Sequence, residues 1–219
     1  KRQCLEGGTS MGIHESQSRF YENIIGRSRA FCSVIYPWLK EHFAPRLDNV
    51  TEDAFYRMIN KAQPSLIRTE ADELTYCLHI MVRYELEKRM FAGELTAHDL
   101  PAEWNRLYKA YLGVDVPNDR EGVLQDSHWA NGNIGYFPSY AIGSAYGAQY
   151  LLELSKVLDV DAVVRSGDLT PINNWLEEKI WKYGCMKNPV ALFESVCGKF
   201  DPDCYVAYLE KKFTEVYDL

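Results

Sequence analysis

The chain has 219 residues, 47% hydrophobic and 25% charged, and its 31 acidic side chains outnumber 24 lysines and arginines for a formal charge of -7. This apolar content suffices for the core of one large domain, or of one piece of a larger one. The acidic balance argues against a nucleic-acid partner, which wants a basic face, and no apolar run approaches the ~18 residues of a membrane span.

Helical signals follow one another along nearly the whole chain and predict an all-α fold. Ser10 is placed to cap a helix carrying His14 to about Gly26. Ser28 caps the next, through Phe31, Ile35 and Leu39, with Pro37 expected to kink or break it. Thr51, followed by Glu52 and Asp53, opens a third with Phe55, Met58 and Ile59 on its apolar face, ended by Pro64. Thr69 is read as opening the longest helix, through Leu74, Leu78, Met81, Val82 and Leu86 to a stop at Gly93. Asp99-Leu100-Pro101 starts another, closed by Gly113.

Residues 114–137, with Pro117, Asn118, Asn131, Gly132, Asn133 and Gly135, form the longest non-helical stretch. A long ordered loop in a helical protein is more often functional than merely connecting. Pro138 then starts a helix rich in small residues (Ala141, Gly143, Ser144, Ala145, Gly147, Ala148) that suits close packing, and further helices follow Pro171, Pro189 and Asp201. No repeat, low-complexity tract or linker interrupts the pattern. The six cysteines, Cys4, Cys32, Cys77, Cys185, Cys197 and Cys204, include no C-x-x-C pair. They read as reduced thiols of a cytoplasmic protein rather than as a Cys/His zinc site.

His14-Glu15 opens like an H-E-x-x-H metal helix, but Ser18 occupies the place of the second histidine. That motif needs imidazoles at i and i+4 on one helical face, and a serine hydroxyl is a poor zinc ligand. None of His42, His79, His98 or His128 completes such a motif elsewhere.

Gly12-Ile13-His14-Glu15-Ser16-Gln17-Ser18-Arg19-Phe20 instead resembles the His-Glu-Ser-Gln signature of the thermostable carboxypeptidase family of zinc metallocarboxypeptidases. Ile67-Arg68-Thr69-Glu70-Ala71-Asp72 resembles a second signature of that family, and Gly143 to Gln149 a third. His128-Trp129 and Gly135-Tyr136-Phe137-Pro138 add to the likeness, which covers essentially the whole chain. The departure is the absent H-E-x-x-H. By analogy Lys1 falls just downstream of the two zinc histidines, so the expectation is the C-terminal part of a longer enzyme, inactive alone.

The resemblance implies a role for each of several residues. Glu15 becomes the third ligand of a catalytic Zn²⁺, with Co²⁺ as an alternative metal; the bland reading is a surface glutamate paired with Arg19. His14 becomes a hydrogen-bond donor behind the ligands. Arg68 becomes the guanidinium fork for the substrate's terminal carboxylate, against a structural pair with Glu70 or Asp72, while Asp72 itself orients Arg68 or caps a backbone. His128 with Tyr136 or Tyr140 becomes the donor set at the oxyanion and substrate backbone, against packing roles and a loop anchor at His128-Trp129. Gln149 is read as satisfying a buried polar contact.

In the full-length enzyme the resemblance implies removal of C-terminal residues from peptide substrates, the glutamate of the missing motif acting as base, in a cytoplasmic homodimer without membrane or nucleic-acid partners. Two rival readings are a non-catalytic helical interaction or dimerisation module and an oligopeptidase of the same clan.

Overall fold

The computed structural model describes residues 7–219, so Cys4 lies outside the described residues. These residues are all-α: ten α-helices and shorter helical turns, with no strand among them. They divide into two compact units, although no linker is visible in the sequence. One unit holds the described residues up to Asn60 together with Ile142–Leu219; the other is Lys61–Ala141.

In the first unit, α1 (Met11–Arg19) starts where Ser10 Oγ accepts the Ile13 N–H at 3.2 Å. The expected single helix to Gly26 widens after Arg19 into a π-helical stretch, Phe20–Ile25. Gly26 N–H closes it on the Tyr21 carbonyl at 2.8 Å, five residues back. A Cβ at Gly26 would lie 2.9 Å from the Tyr21 and Glu22 carbonyl oxygens, which is why glycine ends the stretch.

Ser28 Oγ accepts the Phe31 N–H to open α2 (Arg29–His42), which runs on through Pro37 rather than breaking there. Proline removes one ladder bond; the packing of α2 on α7 and α3 holds the helix regardless. Thr51 caps α3 (Glu52–Ile59) through the Ala54 N–H, 3.1 Å away. Its buried residue is Tyr56, under the Arg29 guanidinium, while Met58 is 58% exposed, and the helix ends before Pro64 is reached.

The remainder of the first unit carries most of α6 (Pro138–Leu154), the longest helix described, and α7 (Val160–Arg165), α8 (Thr170–Lys179), α9 (Pro189–Cys197) and α10 (Asp203–Tyr217). The sequence reading has no counterpart of α7, a short helix capped by Asp159 on the Ala162 N–H. Ile13, Phe20, Ile24, Tyr150, Leu154, Ile172, Leu176, Leu192 and Phe193 form its core. Each such burial removes roughly 1.5–3 kcal/mol of apolar exposure.

The second unit opens with a single 3-10 turn, Arg68–Glu70, and not with a long helix from Thr69. Ala71 is extended, and α4 (Tyr76–Phe91) begins only after the Asp72 carboxylate takes the Thr75 N–H at 2.9 Å and hydroxyl at 2.8 Å. Gly93, at φ +73, follows α4 as its stop, and Gly113 in the left-handed region closes α5 (Leu100–Leu112). Val82, Leu86, Trp104, Leu107, Tyr108 and Leu112 pack α4 on α5. Leu74 and Met81 are 41% and 46% exposed.

Candidate active site

Glu15 belongs to the first unit, and Arg68, His128, Tyr136 and Tyr140 to the second. Glu15 is half-buried on α1, its Oε2 taking the Ser18 hydroxyl at 2.9 Å. Glycine on α6 lets this turn of α1 sit close: a Cβ at Gly143 would lie 2.6 Å from the Glu15 Cβ and 2.7 Å from its carbonyl carbon. Arg19 pairs with Glu22 at 3.0 Å. His14 is exposed and its Nε2 accepts the Gly8 N–H at 2.9 Å, so that nitrogen is an acceptor and not the expected donor. Gln149 meets its expectation: Nε2 donates to the Cys197 and Lys199 carbonyls and Oε1 takes the Asp201 N–H.

In the second unit the four site residues predicted there come together around a residue the sequence reading did not single out, Asp126. Its Oδ1 accepts both Nε (3.0 Å) and Nη2 (2.7 Å) of Arg68. Its Oδ2 accepts Nε of Arg83 (2.7 Å) and forms an ion pair with Nη2 at 2.5 Å. The structural partner of Arg68 is therefore Asp126, neither Glu70 nor Asp72; Asp72 caps the backbone ahead of α4. All three side chains are at most 9% exposed. Burial opposes each charge, yet the hydrogen bonds and attraction among them win, holding Asp126 below the usual carboxylate range and Arg68 above its own.

The two arginines are used differently. Arg83 donates from Nε to Asp126, from Nη1 to the His79 carbonyl (2.7 Å) and the Tyr108 hydroxyl (3.2 Å), and from Nη2 to the Gln125 amide oxygen (2.9 Å), four hydrogen bonds beside the Nη2–Asp126 ion pair. Arg68 donates twice to Asp126 and once, from Nη1, to the Tyr76 hydroxyl at 2.9 Å. Two of its five N–H, one on each terminal nitrogen, thus have no partner among the described residues.

His128 Nε2 lies 3.1 Å from the Tyr140 hydroxyl, and its ring packs 4.4 Å from Phe137 and 5.6 Å from Tyr136. The Tyr140 ring in turn lies 4.9 Å from the Arg68 guanidinium carbon and 5.2 Å from Tyr136. Burial lowers the His128 pKa, with Asp126, whose Oδ1 is 3.9 Å from Nδ1, acting against that shift. Chemically, the group combines a cationic fork with a neutral imidazole and two phenols, a donor set suited to a carboxylate or an oxyanion. Trp129 is the loop anchor: its Nε1 donates to Glu87 at 2.8 Å, and the same oxygen takes the Gly135 N–H.

Sequence reasoning missed Asp126, Gln125 and Arg83. Gln125-Asp126 sits two residues ahead of His128 in the long loop, and α4 buries Tyr76, His79, Arg83 and Glu87 at helical spacing. That buried polar stripe was the available signal. No three His, Cys, Asp or Glu side chains converge among the described residues, so these residues do not by themselves fit a resident metal ion. Glu15, the residue expected as a metal ligand, is a single carboxylate on α1.

An all-α chain with a buried arginine fork beside a half-buried imidazole and phenols fits a peptidase of the helical class. The model of the carboxypeptidase Taq (M32) metallopeptidase family matches residues 1–213, and the chain belongs to that family. It is 44% identical over 215 residues to carboxypeptidase 1 of Bacillus subtilis, covering 97% of this chain and 43% of that protein. Against thermostable carboxypeptidase 1 of Pyrococcus furiosus it is 43% identical over 211 residues, 95% of this chain and 42% of that one. The crystal structure of the M32 carboxypeptidase from Deinococcus radiodurans superposes with a TM-score of 0.94 at 40% identity, over 98% of this chain and 44% of that chain. The chain thus spans less than half the length of these relatives.

Proposed function

We propose that this chain forms part of a metal-dependent carboxypeptidase that removes C-terminal amino acids from peptides. The observation that carries the reading is the buried Arg68 guanidinium, held on Asp126 and Tyr76 with one N–H to spare on each terminal nitrogen. The Tyr140 ring lies 4.9 Å from its guanidinium carbon, and His128 meets the Tyr140 hydroxyl. A carboxylate takes two such hydrogen bonds at once, and a free C-terminus distinguishes a carboxypeptidase substrate from an internal peptide.

In this reading Arg68 and Tyr140 bind the substrate end, and His128 and Tyr136 supply donors where negative charge develops on the scissile carbonyl oxygen. Glu15 is one donor to the metal, which we take to be zinc, with cobalt as an alternative; its other donors come from elsewhere in the full-length protein. We take the location to be cytoplasmic, as the reduced-thiol reading of the cysteine spacing implies. A homodimer of the full-length enzyme rests on the family resemblance. Among the described residues, no helix is long and apolar enough to cross a membrane.

The test is Arg68→Ala in the full-length enzyme, assayed on one peptide as the free acid and as the C-terminal amide. Loss of a buried, charge-assisted contact should lower kcat/KM for the free acid by roughly 30-fold or more, while the amide changes little. Equal discrimination by wild type and variant would refute the assignment of Arg68 to the carboxylate.

A further inference from the structure

We propose that Asp126 is a positioning residue for recognition of the substrate's terminal carboxylate, fixing the plane of the Arg68 guanidinium through one oxygen while Arg83 pins the other. The proposal rests on the reading of Arg68 given above and extends it to how that fork is aimed.

An arginine side chain has four rotatable bonds, and a fork that must meet a planar anion with two hydrogen bonds has to lose that freedom beforehand. Three contacts remove it here. Nε and Nη2 converge on Asp126 Oδ1, Nη1 donates to Tyr76, and the Tyr140 ring lies 4.9 Å from the guanidinium carbon. The Arg68 backbone is held as well, its N–H donating to Gln125 Oε1 at 2.9 Å.

Asp126 is itself immobile because Arg83 grips its other oxygen from α4. Arg83 is locked by the His79 carbonyl and by the same Gln125 oxygen that receives the Arg68 N–H. Gln125 closes the frame by donating to the Leu66 and Glu121 carbonyls. A carboxylate serving only to neutralise Arg83 would not need its second oxygen under two N–H of Arg68. Asp126 also lies two residues from His128, so one loop segment sets both the fork and the imidazole.

The experiment compares wild type, Asp126→Asn, Asp126→Glu and Arg68→Ala in the full-length enzyme, on free-acid and amidated forms of one peptide, with bound metal measured in each. Asp126→Asn keeps the shape and removes the anion. It should raise KM for the free acid and reduce free-acid over amide selectivity by about tenfold or more, with metal content unchanged. Asp126→Glu keeps the charge balance of two buried arginines, so it reports even where the asparagine variant does not fold. Its extra methylene displaces the oxygen under Arg68, and selectivity should fall part of the way. Wild-type selectivity in either folded Asp126 variant, with selectivity lost in Arg68→Ala, overturns the positioning role alone. Wild-type selectivity in Arg68→Ala overturns the underlying reading as well.

Discussion

His79 should make this protein lose stability on mild acidification, by an amount the structure sets. The side chain is fully buried on α4, and its Nδ1 lies 3.1 Å from the Tyr108 hydroxyl. That hydroxyl also accepts from Arg83, and as donor or acceptor it can pair with either neutral tautomer of the ring. Burial first, and the Arg83 charge second, push the His79 pKa down from 6.5 to about 4. An unfolded histidine takes its proton near pH 6.5, so between those values the unfolded state binds more protons than the folded one. The stabilisation is complete above pH 6.5 and is lost as pH falls toward 4. The whole shift corresponds to about 3 kcal/mol, of which about 2 kcal/mol falls between pH 7 and pH 5. Urea unfolding followed by tryptophan fluorescence should show the midpoint dropping by roughly 1 M over that interval. His128, lowered by burial in the same direction, adds to the slope, so the decisive comparison is His79→Asn. Asparagine preserves a partner for the Tyr108 hydroxyl but cannot titrate. Its stability should be lower at pH 7 and markedly flatter with pH; a slope as steep as wild type would refute a neutral buried His79.

Other measurements follow from single contacts. Glu15→Gln in the full-length enzyme should lose metal, activity or both while keeping the helical far-UV signal, because an amide replaces an anionic donor at unchanged size; full metal occupancy with normal turnover would make Glu15 a surface residue. Gly143→Val should destabilise by about 1–3 kcal/mol, since its Cβ would press on the Glu15 backbone carbon, 2.7 Å away, and not on a yielding side-chain tip. An unchanged melting temperature would rule out that tight packing. Thiol labelling near pH 8 should modify exposed Cys185 in the folded protein and spare Cys32 and Cys197, whose pKa values burial raises to about 11 and about 12. Modification of all three at one rate would contradict it.

The parts of the fold legible in the sequence were those fixed by local chemistry. Ser10, Ser28 and Thr51 cap helices because an oxygen three residues ahead of a free N–H needs nothing from the rest of the chain. Gly93 and Gly113 stop helices by adopting positive φ, equally local. The errors arise where distant packing outweighs propensity. Thr69 looks like a cap with a good helical sequence behind it, yet Arg68 and Ala71 are drawn into the second unit's buried interior, and the helix is delayed to Tyr76. Pro37 is tolerated and the π-helical widening after Arg19 is adopted because the tertiary contacts of those segments compensate for irregular ladders.

The candidate residues could be named from the sequence, but the contacts among them could not. Arg68, His128, Tyr136 and Tyr140 could be named from short signatures, but the carboxylate binding two of the buried charges together could not. Asp126 is 58 positions from Arg68 and 43 from Arg83 along the chain. No spacing rule reaches that far, and in the loop it resembles any solvated aspartate. The spare donors of Arg68 likewise become visible only in coordinates. Arg83 spends four hydrogen bonds and an ion pair on Asp126, Gln125, His79 and Tyr108; its removal would strand Asp126 and the Gln125 oxygen in a buried setting. Arg68 is held as firmly but keeps two N–H in reserve, and a buried cation with unmet donors is costly unless something arrives to meet them. Under the proposed reading an anionic peptide terminus would meet that need, which is why selectivity between acid and amide substrates, more than overall activity, is the measurement that discriminates.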